Sequence, residues 1–232
     1  MNIGRETALI AALSLGQVTG AVAQDNNIEF SANVALVTDY IYRGITQTDN
    51  GLAIQGGFDA AYGVFYAGTW ASSVDFRDDT TMEIDFYGGV APNIGETNFD
   101  FGVIYYAYPD SPELPTGTQN FVEFYAGIGQ SFGPIEPSVK VSYSPDFYGE
   151  TGGAFYIEGD VALQIIEELS ASAGIGASLF EDDLLNDDYI DFNAGITAAS
   201  WGLDFDLRFH STSNRVGGSD DDVVVFALSR SF

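Results

Sequence analysis

The sequence predicts an all-β protein, a transmembrane, antiparallel, up-and-down β-barrel of about 12 strands. Three observations carry that expectation. Apolar residues recur at every second position along most of the chain, the connections between those stretches alternate long and short, and the chain ends on Phe232.

The alternation comes first, because side chains on a strand point to opposite faces with period two. Ile28, Phe30, Ala32, Val34 and Leu36 share one face, against Glu29, Ser31 and Asn33 on the other. Leu52, Ile54, Phe58 and Ala60 alternate with Gln55 and Asp59. Met82, Ile84, Phe86 and Val90 alternate with Glu83 and Asp85, and Phe99, Phe101, Val103 and Tyr105 with Asn98 and Asp100. Phe155, Ile157, Val161, Leu163 and Ile165 oppose Glu158, Asp160 and Gln164. Ile190, Phe192, Ala194 and Ile196 oppose Asp191 and Asn193. Trp201, Leu203, Phe205, Leu207 and Phe209 oppose Asp204, Asp206, Arg208 and His210. Less regular strands are expected near 64–75, 121–130, 135–144, 169–180 and 223–232.

Alternation alone also fits a secreted sandwich or a lipocalin-like barrel with the apolar face turned inward. The connections separate the two. Long ones fall at 40–51, 76–80, 107–119, 145–153, 181–188 and 211–222, and hold the acid runs Asp182-Asp183, Asp187-Asp188 and Asp220-Asp221-Asp222. Short ones fall at Tyr62-Gly63, 92–97, 131–134, Ile166-Glu167-Glu168 and Ala199-Ser200. An outer-membrane barrel sorts its loops in this way, with tight turns on the periplasmic side and long loops outside.

The end of the chain agrees. Phe226, Leu228 and Phe232 lie on one face, and the pattern resembles the C-terminal signal read by bacterial barrel-assembly machinery. Arg230 interrupts that face, where its long stem can snorkel to headgroups. At the other end Arg5, the apolar run Ala8–Leu15 and Ala21-Val22-Ala23 before Gln24 read as a cleaved signal peptide over residues 1–23. Residues 24–232 then form a single barrel domain in the outer membrane of a Gram-negative bacterium, among its lipid and lipopolysaccharide.

Composition excludes several function classes. Seven Lys and Arg against thirty-four Asp and Glu give a net charge of −27, which repels nucleic acid. The chain has no cysteine and one histidine, so zinc and iron sites lack ligands, and no cofactor or metal is expected. Gly129-Gln130-Ser131-Phe132-Gly133 fits G-x-S-x-G, but Pro134-Ile135-Glu136-Pro137 cannot open the helix that a nucleophile elbow needs. His210, the only candidate general base, shares a face with acids and Arg208, and no catalytic residue is assigned. The pairs Glu83/Asp85, Glu158/Asp160 and Asp204/Asp206 read as parts of one acidic wall. The candidate lumen residues are Glu29, Asp59, Glu83, Asp85, Asp100, Glu123, Lys140, Glu158, Asp160, Asp191, Asp204, Asp206 and Arg208. Their acid excess implies cation preference if the barrel conducts.

The stretch TDYIYRGITQT at 38–48 stands where the first strand leaves the membrane. Tyr40 and Tyr42 are expected in an aromatic girdle, with Gly44 turning the chain just beyond. Arg43 has two readings: an exposed or locally paired cation near Asp39 or Asp75, or a side chain folded into the mouth against the acidic wall.

Together with FYAGTWASSVDF at 65–76, this stretch resembles the TorF family of porin-like barrels, through its aromatic-Arg-Gly triplet and the later aromatic-Tyr-Ala-Gly segment. The resemblance implies an outer-membrane channel for passive diffusion of small solutes. A closed structural barrel acting through its acidic loops, and an outer-membrane lipid hydrolase, are the alternatives.

Overall fold

A computed structural model describes residues 27–182, 187–213 and 222–232. The expected signal peptide, and Asp183, Asp220 and Asp221 of the loop acids, lie outside the described residues. Twelve long strands form the wall: β1 (Glu29–Val37), β2 (Ala53–Tyr62), β3 (Phe65–Ser73), β4 (Met82–Val90), β5 (Thr97–Ala107), β6 (Phe121–Gln130), β7 (Ile135–Ser144), β8 (Ala154–Ile166), β9 (Leu169–Phe180), β10 (Tyr189–Ser200), β11 (Leu203–Thr212) and β12 (Val223–Ser231). Each pairs antiparallel with its sequence neighbours, and β1 pairs with β12 from Asn33↔Ser231 to Val37↔Ala227, so the sheet closes. Backbone bonds between Ala32 and Phe232 extend the seam to the last residue. Closure leaves no strand edge, which is what hydrocarbon demands of a β protein.

The alternation resolves into an apolar outside and a polar inside. Phe58, Phe86, Phe124, Ile128, Ile157, Phe192, Ile196 and Phe226 are exposed on the outer face, whereas Gln55, Glu83, Asp85, Glu123, Ser142, Asp191, Asp206 and Arg208 are buried within. Such an apolar belt around a closed barrel fits a lipid bilayer.

Three features differ from the sequence expectation. The turn expected at Ala199-Ser200 lies two residues later, at Trp201-Gly202, where both residues have positive φ (56° and 73°). Two-residue hairpins favour that backbone because its twist matches the strands. Trp201 therefore leaves the strand face on which it was placed and projects from the short-turn rim, 90% exposed. The turn expected at Tyr62-Gly63 falls at Gly63-Val64. Tyr40 and Tyr42 form no girdle. The exposed aromatics Phe30, Tyr62, Phe65, Phe132, Trp201 and Phe232 instead ring the short-turn rim.

Candidate functional site

The connection 38–52 folds inward. Its core is a small hairpin, Ile41–Tyr42 paired with Ile45–Thr46, turned by Arg43 and Gly44 at φ 48° and 77°. Positive φ at both central positions is the type I′ requirement, natural for Gly44 and strained for Arg43. The hairpin needs a glycine for space as well: a Cβ on Gly44 would lie 2.7 Å from Asp191 Cβ and 2.9 Å from Thr212 Cβ. The loop that leaves β1 thus turns inward and lies against β11 and β10, two and three strands away around the barrel.

Its stem is tied down by short polar contacts. Thr46 Oγ1 donates to Asp39 Oδ1 at 2.6 Å, and Thr48 Oγ1 lies 2.8 Å from the same oxygen. Gln47 N donates to Tyr40 O at 2.7 Å, and Asp75 N donates to Gln47 O at 2.8 Å, linking this loop to the next long one. Burial pushes the Asp39 carboxyl above its ordinary range, although both threonine hydroxyls oppose the shift.

Arg43 ends in the acidic wall. Its two terminal nitrogens each donate to one oxygen of Glu123 at 2.8 Å, and the side chains are 9% and 3% exposed. The guanidinium lies 4.7 Å from the Tyr42 ring centroid and 4.2 Å from that of Tyr156. Tyr106 OH donates a third bond to Glu123 at 3.1 Å. The partner is therefore neither Asp39 nor Asp75. Beside this pair, Tyr40 OH and Tyr108 OH donate to the two oxygens of Glu83 at 2.8 and 2.6 Å. Tyr40 and Tyr42 both serve the interior of the mouth. Aromatic rings from other long loops complete the packing: Phe76 on Tyr108 at 5.3 Å, and Phe147 on Phe121 at 4.8 Å.

Below the mouth the inward groups run sideways along the wall. Tyr66 OH donates to Asp100 Oδ1 at 2.6 Å and meets Tyr125 OH at 2.5 Å, while Tyr87 OH donates to Asp59 Oδ1 at 2.5 Å. These rings lie over glycines of the adjacent strand: Tyr66 faces Gly89, Tyr125 faces Gly102 and Tyr87 faces Gly68 in register. Lys140 pairs with Glu158 at 2.5 Å. Arg208 contacts Asp206, Asn193 and Ser172 at 2.7–3.2 Å.

Of the inward residues read from the sequence, the fold brings Glu83, Asp85, Glu123 and Asp191 together in the mouth. It distributes Asp59, Asp100, Lys140, Glu158, Asp160, Asp204, Asp206 and Arg208 down the wall, and leaves Glu29 exposed at the short-turn rim. The sequence reading missed Tyr106, Tyr108 and Tyr156. The available signal for Tyr106 and Tyr156 was a tyrosine at the parity of the acids. Ser131 lies in a turn at the opposite rim, bonded to Glu136 at 3.2 Å, and His210 faces the lumen near the long-loop rim. They form no dyad.

The fold is one that outer-membrane channels use. The chain is similar to the NanC porin (TM-score 0.55, 7% identity, 87% of this chain and 98% of that one). It is similar to an outer-membrane channel from Pseudomonas putida F1 (TM-score 0.56, 9% identity, 88% and 95%). A third likeness is to OmpF of Salmonella typhi (TM-score 0.50, 7% identity, 89% and 98%). No curated protein matches the sequence. A family model does, over residues 21–232, and the chain belongs to that family, described as bacterial proteins of unknown function (Gcw_chp).

Proposed function

We propose that the protein is a passive outer-membrane channel for small solutes, constricted at its mouth by the hairpin 41–46 and cation-preferring. The observation that carries the reading is the charge of that mouth. Glu83, Asp85, Glu123 and Asp191 surround a lumen into which the first loop delivers one cation, Arg43. Rings of carboxylates favour cations and repel anions in a narrow, poorly hydrated passage. The sideways wall of Tyr66, Tyr87 and Tyr125 supports a lumen that continues below, because rings laid along the sheet do not cross it.

The resemblance of 38–48 and 65–76 to the TorF family fits a channel. Phe226, Leu228 and Phe232 serve as the assembly signal, with residues 1–23 removed on export. The inward residues named above line the path.

The test is conductance. Purified full-length protein in a planar bilayer under a KCl gradient is expected to give discrete current steps with a reversal potential on the cation side. Reversal on the anion side overturns the preference. The dense aromatic packing of Phe76, Tyr108, Phe121 and Phe147 favours a second reading, a barrel closed at rest. Correct insertion with no conductance at any voltage is its sign.

A further inference from the structure

One carboxylate in the mouth is left unsatisfied by the first loop. Asp85 is completely buried, yet neither Oδ1 nor Oδ2 has a hydrogen-bond partner. It stands two residues from Glu83 on the same inward face, roughly 6.5–7 Å away by strand geometry. The three acids are neutralised unequally: Glu123 has the guanidinium of Arg43, Glu83 has two phenol donors, and Asp85 has nothing. A buried, unpaired carboxylate is costly, so the place favours a cation that brings its own donors.

The kind of cation follows from the walls and from the occupant already present. Arg43 demonstrates that a guanidinium fits here, gripped edge-on by a carboxylate and covered by two tyrosine rings. Asp85 itself is flanked in register by Trp70 on β3 and Tyr106 on β5. Aromatic faces suit weakly hydrated organic cations. A hard metal ion needs several oxygen ligands, and among the described residues no cluster of three carboxylates or histidines is spaced to hold one.

We propose that the mouth is a recognition site for small organic cations bearing a guanidinium or primary ammonium group, with Asp85 as anchor and Arg43 as the internal competitor. Arg43 stands at the tip of the hairpin with its own backbone at positive φ, beyond the stem contacts of Asp39, Thr46 and Thr48. Its withdrawal frees Glu123 beside Asp85, so a solute with two cationic ends spans both carboxylates. The inference rests on the channel reading for the route by which the solute arrives.

The experiment uses the refolded full-length protein and agmatine, which carries a guanidinium at one end and an ammonium at the other. Binding is followed by calorimetry, with sodium chloride at equal charge as the competitor. Asp85→Asn is expected to weaken binding by about tenfold or more, since a charge-assisted bond becomes a neutral one. Arg43→Ala is expected to tighten it by a similar factor. Arg43→Lys keeps the charge but loses the fork, and is expected to tighten binding as well, which keeps the test alive if the alanine variant fails to fold. Equal affinity in wild type and Asp85→Asn, or equal displacement by sodium, overturns the proposal. The same preparations go into bilayers. Barrels that conduct KCl but bind no agmatine sink this inference and leave the channel reading standing. Barrels that bind agmatine through Asp85 but never conduct do the reverse.

Discussion

Arg43 holds Glu123 through both terminal nitrogens, each 2.8 Å from a carboxylate oxygen, across 80 residues of sequence. The pair joins the tip of the first loop to the far wall. It is the strongest polar tether of the hairpin, because a planar guanidinium matches a carboxylate edge and both groups are shielded from water.

Removing one member strands the other. Arg43→Ala leaves Glu123 buried with only the Tyr106 phenol, and breaking a buried pair in this way costs about 3–5 kcal/mol. That cost falls on hairpin docking, not on the barrel wall, whose strands pair independently of it. Single-channel records are expected to show larger or noisier currents. The double variant Arg43→Ala/Glu123→Gln removes the stranded charge and is expected to recover much of the lost docking stability. Equal effects of single and double variants would assign the loss to packing alone.

Gly44 tests the same docking without altering charge. Alanine there adopts φ 77° with a Cβ 2.7 Å from Asp191 Cβ, so strain and overlap add. A left-handed non-glycine residue costs about 1–2 kcal/mol, and the overlap increases it. Gly44→Ala should therefore mimic Arg43→Ala in conductance while leaving the reversal potential in place. A wild-type current record would show that the hairpin tolerates displacement from β10 and β11.

Barrel closure, loop parity and the inward parity of the acids were legible because each follows from a period of two and a connection length. The hairpin inside 38–52 was not. Two residue pairs are too few to produce a periodic pattern, and Tyr40 and Tyr42 carry the same side chain whether they face headgroups or carboxylates. What sends them inward is the location of their acceptors, Glu83 lying 43 residues beyond Tyr40. Arg43 illustrates the same limit. Asp39 is close in sequence and Asp75 is bonded to the loop through Gln47, but Glu123 faces the loop tip across the lumen. Trp201 shows the opposite error, where clean alternation carried the strand two residues into a turn that Gly202 marks.

The loop should respond to pH with two opposed signs. Burial raises the Asp39 carboxyl above its unfolded value of about 3.9. Its contribution to docking is therefore complete below that value and is lost as pH rises through the raised folded value. Asp49 behaves oppositely: its hydrogen bond from Arg77 lowers the carboxyl, so that contribution is present at neutral pH and lost as pH falls through the lowered value. On acidification from neutral, protonation of Asp39 tightens the loop before protonation of Asp49 weakens it. Hydrogen-exchange protection of amides 40–48, corrected for intrinsic rate, should rise toward pH 4, and Asp39→Asn should flatten that rise while keeping the Thr46 bond. A rise that survives in Asp39→Asn would assign the effect to another group.

Lys140 offers a test of selectivity away from the mouth. It is 2.5 Å from Glu158, and its charge cancels part of the acidic wall. Lys140→Gln removes that cancellation without changing the backbone. The reversal potential under a KCl gradient is expected to move further toward the cation limit, and less so at high ionic strength, where mobile ions in the lumen screen wall charges. An unchanged reversal potential would place the current path away from this wall.

The inward glycines separate wall packing from loop docking. A Cβ on Gly89 would lie 2.4 Å from the Phe101 carbonyl oxygen and 2.4 Å from the Tyr66 hydroxyl, so both backbone and ring must move. At Gly127 the nearest atom to an added Cβ is 3.7 Å away, ordinary contact. Overpacking costs about 1–3 kcal/mol, whereas an unobstructed substitution stays within about 0.5 kcal/mol. Gly89→Ala is thus expected to lower the unfolding midpoint of the refolded barrel, and Gly127→Ala to leave it nearly unchanged. Because the Tyr66 ring also positions its hydroxyl on Asp100 and Tyr125, Gly89→Ala should disturb the wall lattice on β5 and β6 as well. Tyr66→Phe/Gly89→Ala removes the hydroxyl from the clash but leaves the Phe101 carbonyl in place. The Tyr66 ring carbon Cζ, 2.7 Å from the added Cβ, also remains, so partial recovery in that double variant would measure the share of the strain carried by the hydroxyl alone, and full recovery would show that ring and backbone yield freely.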